Sequence, residues 1–347
     1  MRVTSIIGTA AILLAAAPKQ PLAQTVTPQV SNTTQSLIGL HPVNDRVVWA
    51  SGGGGTFLRT TDGGVHWRAG VVPGAEGVQF RDVQAVDSLT AWLLSIPSGD
   101  SARIYRTTDG GEHWTLQFQN HEPAAFYDCF AFWDSRRAIA ISDAVRGRIP
   151  ILLTDDGGDH WTLLPDVAAP PADSGEGSPA ASGTCVVAKR PGYAWIGTIG
   201  GKQGARVLRT ADGGRSWQSA ITPIGHRAPG AGIFTLVFRD RLRGVAAGSE
   251  DSTKVPTGRV AGTTDGGRTW RLLGEPAFRG TVYGLATVPG RPRTLIATGP
   301  GGSSISRDGG GSWAPLDAAN HWAVAFASSK TGWMVGPRGR IAKIRLQ

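Results

Sequence analysis

Little in this chain is equipped for chemistry. Of 347 residues only two are cysteine, four tyrosine, six glutamate and seven histidine, and 18% are charged. Two cysteines alone do not complete a structural zinc site. No serine elbow, zinc-binding helix, phosphate loop or dinucleotide fingerprint stands in a workable context. Gly52-Gly53-Gly54-Gly55 leads into a strand-like run, so it offers no helix N-terminus to a phosphate. His66, His113 and His160 recur beside a tryptophan, a packing position, and His41, His121, His226 and His321 are dispersed. No cofactor or metal site is expected. Basic residues do not cluster with aromatics, which argues against nucleic acid as a partner. Helical periodicity is nearly absent. After the N-terminus no run approaches the ~20 apolar residues of a membrane span.

The N-terminus carries one arginine, an apolar run from Ile6 to Ala17 and small residues with proline near Leu22-Ala23-Gln24. This composition reads as a cleavable secretory signal over 1–23, with the mature chain, 24–347, in the periplasm or outside the cell. No lipobox cysteine stands near the cleavage site. The formal charge is +9, or +7 without Arg2 and Lys19, and arginine supplies 29 of the 35 basic residues. A monomer is expected.

What is present in quantity is a repeat. Thr60-Thr-Asp-Gly-Gly-Val-His-Trp67 returns as Thr107 to Trp114, Thr154 to Trp161, Thr210 to Trp217, Thr263 to Trp270 and Ser306 to Trp313. Its aspartates, Asp62, Asp109, Asp156, Asp212, Asp265 and Asp308, are 47, 47, 56, 53 and 43 residues apart. Asp-Gly favours a tight turn between strands, since glycine reaches positive φ freely and the carboxylate accepts from nearby N–H groups. The tryptophans Trp67, Trp114, Trp161, Trp217, Trp270 and Trp313 then open the outgoing strand and cover a blade core. A period in the forties with strand-like sequence between repeats predicts an all-β propeller. Inner strands fall at Leu37–Leu40, Val83–Val86, Cys129–Trp133, Cys185–Ala188, Phe234–Phe238, Val282–Ala286 and Trp322–Ala327, giving seven blades. The seventh ends without a motif and lacks its outer strand. Thr25 to Asn32 is expected to supply it and close the ring, removing an exposed edge.

The S/T-x-D-x-G-x-x-W pattern resembles the Asp-box, or BNR repeat, of sialidases, sortilin-type receptors and the photosystem II stability/assembly factor family. The blade running Phe80-Arg-Asp-Val-Gln-Ala-Val-Asp87, Thr90-Ala-Trp92 and Ile104 to Gly111 is most similar to the last of these. The resemblance spans nearly the whole mature chain. It implies a noncatalytic disc that binds a membrane-protein precursor through an arginine-lined patch.

Cys129 and Cys185 each lie 27 residues before a motif aspartate, at equivalent inner positions of blades three and four. In an oxidising compartment they either bridge the two blades or stand as buried thiols. Long loops joining second to third strands, and one blade to the next, fall on the face away from the motifs. They are Ser95–Arg103, Asp143–Pro150, Gly200–Arg206, Glu250–Arg259 and the insert Pro165–Gly183. Recognition is expected there, on Arg81, Arg103, Arg146, Arg148, Arg206, Arg227, Arg259, Arg338 and Arg340, with an acidic segment of a membrane or envelope protein as the partner. The alternative is a carbohydrate-binding or sialidase-like glycoside-hydrolysing propeller. Its carboxylate candidates are Asp82 and Asp128, and its tyrosines Tyr127 and Tyr283. Arg148-Ile149-Pro150 matches a sialidase tripeptide but lies in the wrong place in the chain.

Overall fold

The computed structural model describes residues 24–225, 230–250 and 257–347. The expected leader, Arg227 and part of the Glu250–Arg259 loop lie outside them. Seven four-stranded antiparallel sheets are formed. Their innermost strands are Leu37–Pro42, Gln79–Ala85, Tyr127–Phe132, Val186–Lys189, Gly232–Phe238, Gly284–Val288 and Ala323–Phe326. Consecutive inner strands pack against one another, and the first meets the last, which makes the ring. One 3-10 turn, Gly99–Ser101, is the only helical element among the described residues. No helix among them is long and apolar enough to cross a membrane.

Closure is by the N-terminal strand. Gln24–Gln29 pairs antiparallel with Ile341–Leu346, from Gln24 opposite Leu346 to Gln29 opposite Ile341, and completes blade seven. It is fastened to blade one as well. Gln29 Oε1 accepts the indole N–H of Trp67 at 3.1 Å, and Asn32 Nδ2 donates to the Trp67 carbonyl at 2.7 Å. Asn32 itself takes φ 61°, a conformation asparagine tolerates.

Each motif joins the third and fourth strands of its blade, and the same three hydrogen bonds close the turn in all six copies. In the first, Thr60 Oγ1 donates to Asp62 Oδ1 at 2.8 Å and accepts the Gly64 N–H at 2.9 Å. The other end of the turn closes by the His66 N–H donating to Asp62 Oδ1 at 3.0 Å. The glycines take φ of 75° and 86°, where a side chain would be strained. Each turn also touches its blade's first hairpin, as where the Gly266 N–H donates to the Leu242 carbonyl at 2.8 Å.

The motif tryptophans work between blades rather than within one. Seven apolar clusters fill the seven junctions, and six contain the motif tryptophan of the later blade. Trp114, for example, packs edge-on against Trp49 and Phe57 of blade one. The junction of blades six and seven has no such residue, and Val26 of the closing strand packs there. A second set, Trp49, Trp92, Trp195 and Trp333, sits on second strands and is fully buried. Trp92 and Trp195 donate to the Gly157 and Gly266 carbonyls at 3.0 and 2.9 Å, gripping the turn of the next blade.

Candidate functional site

Inner strands of a propeller present their side chains to the channel, and here four of them are irregular at its mouth. The register shifts by one residue at Ile38, Arg81, Asp128 and Phe234. Such bulges re-aim a side chain. Arg81 and Asp128 attract one another, and Phe234 stacks on Tyr283 with centroids 5.6 Å apart. Asp82 points elsewhere, its Oδ2 accepting the Phe130 N–H of the next blade at 3.0 Å. Burial pushes Asp82 and Asp128 well above the usual carboxylate range. The carboxyl beside Asp128 is not Asp82 but Asp143, within hydrogen-bond reach. No local pattern marks Asp143; only the turn between the second and third strands of blade three brings it inward.

The Pro165–Gly183 insert differs from the expected open recognition loop. It folds inward. The Ala180 carbonyl accepts from Arg81 Nη1 of blade two at 2.7 Å, and Ser182 Oγ donates to the Tyr283 carbonyl of blade six at 2.6 Å. The segment therefore lies across the channel mouth. Glu176, fully buried, holds its outer part through a two-pronged pair with Arg206, Nε to Oε1 at 2.6 Å and Nη2 to Oε2 at 2.8 Å.

Cys129 and Cys185 are joined by a disulfide, their Cα atoms 6.0 Å apart. It links blades three and four at the foot of that insert. Both cysteines are fully buried.

The candidate arginines are not gathered into one patch. Arg206 and Arg148 support the insert, Arg148 donating to the Ala169 carbonyl at 3.1 Å. Arg146 pairs with Glu122 at 2.6 Å, and Arg259 pairs with Glu250 and Glu275. Arg103 and Arg340 donate to the Asp100 and Asn320 carbonyls at 2.6 and 2.7 Å. Arg338 is exposed with no partner among the described residues.

The larger unpaired charge lies on the motif face of blades four to six. Arg215, Arg268 and Arg293 donate to the carbonyls of Asp212, Asp265 and Asp308, which hold a guanidinium without neutralising it. Arg241 and Arg271 are exposed alongside. Arg209 is pulled down by burial and by the nearby Arg268 charge, with the Asp265 carboxylate opposing. Two clefts open between the blades. One of about 240 Å³ is lined by Tyr193, Trp195, Arg209, Arg241 and Arg268. The other, of about 230 Å³, has Val237, Val245, Leu273 and Leu295 below Arg239, Arg243, Arg271 and Arg293. A sequence signal for this arc existed. The residue after Asp-Gly-Gly is Val65, Glu112 or Asp159 in blades one to three but Arg215 and Arg268 in blades four and five. The first hairpins of blades five and six read Arg-Asp-Arg-Leu-Arg and Arg-Pro-Arg.

No family model matches the chain, and no curated protein matches it. Solved structures do. YCF48 bound to D1 peptide superposes with a TM-score of 0.63 at 17% identity, over 96% of this chain and 98% of that one. YCF48 from Cyanidioschyzon merolae gives 0.65 at 18%, over 93% and 99%. The GH74 xyloglucanase from Xanthomonas campestris gives 0.62 at 17%, over 93% of this chain but 53% of its own. At these identities the likeness establishes the seven-bladed fold.

Proposed function

We propose that this chain is a noncatalytic, exported binding disc whose arginine arc on blades four to six docks an acidic segment of a protein partner. The observation that carries the reading is the contrast between the two faces. Away from the motifs, Arg146, Arg206 and Arg259 are matched by glutamates. On the motif face of blades four to six, arginines are held chiefly by carbonyls, and among the described residues Asp240 is the one carboxylate paired there, with Arg239 and Arg243. Charge left unneutralised at a rigid surface steers and registers an anionic partner. Arginine's planar fork suits carboxylates, and the apolar floors of the two clefts suit the side chains between them. A D1 peptide bound to a YCF48 propeller of nearly equal length supports peptide recognition by a disc of this shape.

The hydrolytic alternative has less support. Asp128 is 1% exposed beneath the insert and Asp82 is 2% exposed and bonded to backbone. A glycosidase needs two carboxyls open to a sugar at about 5 Å or more. The chain also spans about half of the GH74 enzymes it superposes on.

The test is crosslinking in the native envelope followed by mapping of the linked peptides. Wild type is compared with Arg241→Glu/Arg271→Glu/Arg293→Glu and with Arg146→Glu/Arg338→Glu on the other face. Links to an acidic segment, lost at least tenfold in the first variant and kept in the second, are expected. Loss only in the second would move the site to the far face, and no partner in any sample would sink the protein-binding reading.

A further inference from the structure

The channel mouth holds a buried arrangement that the arginine arc does not use. Asp128 and Asp143 put two carboxyls side by side, one 1% exposed, and no described residue donates to Asp128 Oδ2. Two abutting carboxylates repel unless one carries a proton, which then bonds to the other. The same Asp143 fastens the insert. Its Oδ1 accepts the Ser178 N–H at 2.9 Å, and the next residue, Ala144, donates its N–H to the Glu176 carbonyl at 3.0 Å.

We propose that residues 177–183 form a proton-linked plug, closed over the channel while Asp128 and Asp143 share a proton and released when that proton is lost. Release uncovers Arg81, Phe234 and Tyr283 at the channel mouth.

Among the described residues the surrounding charges are few. Arg81 of blade two faces Asp128 and favours its ionised form, but its Nη1 is committed to the Ala180 carbonyl. Asp82, also of blade two, gives Oδ2 to the Phe130 N–H and sets Oδ1 against Gly183 of the plug, and from blade six, among the described residues, the Tyr283 phenol faces Arg81. Glu176 and Arg206 neutralise each other on the outer side of the insert. Burial pushes Asp128 well above the usual range, with the Asp143 charge and hydrogen bond adding to it, and burial raises Asp143. The sign follows. Carboxyls raised in the closed form stabilise it at low pH, and that stability is lost as pH rises through the closed-form value.

Hydrogen exchange of the full chain from pH 5 to 8, corrected for the intrinsic rate, reads the opening directly on peptides covering 174–183. One proton released on opening raises the opening constant up to tenfold per pH unit. Asp128→Asn replaces the shared proton with a fixed amide donor and is expected to flatten this dependence while keeping the plug closed. Asp143→Asn should do the same, so either variant suffices if the other fails to fold. Blade-seven amides around Trp333 serve as the control and should not follow pH. A flat wild-type profile, or a slope retained in both variants, overturns the proposal.

Discussion

Replacing Trp195 tests how neighbouring blades are held together. Its indole is 1% exposed on the second strand of blade four and stacks on Phe238 of blade five, centroids 3.7 Å apart and planes 10° from parallel. Its N–H donates to the Gly266 carbonyl in the next Asp-Gly-Gly turn at 2.9 Å. Truncating a buried tryptophan to alanine costs about 3–5 kcal/mol through lost contact and residual cavity. Loss of the neutral hydrogen bond accounts for about 1 kcal/mol of such a change. Trp195→Ala is therefore expected to cost about 4 kcal/mol, and Trp195→Phe, which keeps a ring on Phe238, about 1–2 kcal/mol. In a chain of this size about 2 °C is lost per kcal/mol, so the alanine variant should melt about 8 °C lower. Urea midpoints and calorimetry measure both. An alanine variant within about 1 kcal/mol of wild type would show that the junction refills the space and refute the packing argument. Equal losses in both variants would place the energy in the hydrogen bond instead.

Deleting residues 24–32 exposes the Ile341–Leu346 edge and is expected to lower the melting temperature sharply; an unchanged melt would refute ring closure by this strand. Gln29→Ala isolates one part of that effect, leaving the buried Trp67 N–H without its acceptor at a cost of about 1–2 kcal/mol in urea titration. Acid should act through the six turns. Burial works against ionisation of Asp212 and Asp308, but hydrogen bonds, from Ser216 and Thr210 to Asp212 and from Ser312 and Ser306 to Asp308, outweigh it and hold both at about 2. Lowered folded values mean stability that is present above the unfolded value of about 3.9 and lost as pH falls toward about 2. Urea midpoints at pH 6, 4, 3 and 2 should fall across that window, and less so in Asp212→Asn/Asp308→Asn. A flat profile would show that the turn carboxylates do not couple to folding.

Blade number, the motif's place at a turn between strands, and closure by the N-terminal strand were all legible in the sequence. Each follows from local chemistry repeated at a fixed period. Asp-Gly-Gly needs positive φ and a carboxylate acceptor wherever it occurs, and a seventh blade short of one strand leaves an edge that must be paired. The equivalence of Cys129 and Cys185 was likewise a matter of counting to the next aspartate. Tertiary structure decided what depends on neighbours distant in the chain. The motif tryptophans pack on the preceding blade because the ring curves their side chains toward that junction. The Pro165–Gly183 insert reads as a loop rich in proline, alanine and serine, yet Arg81 and Tyr283, 99 and 101 residues from their partners in it, draw it across the channel. Asp143 meets Asp128 only through a bulge and a turn. The arginines show the same division: their number is a property of the sequence, but which are neutralised depends on where the folded ring places the few glutamates.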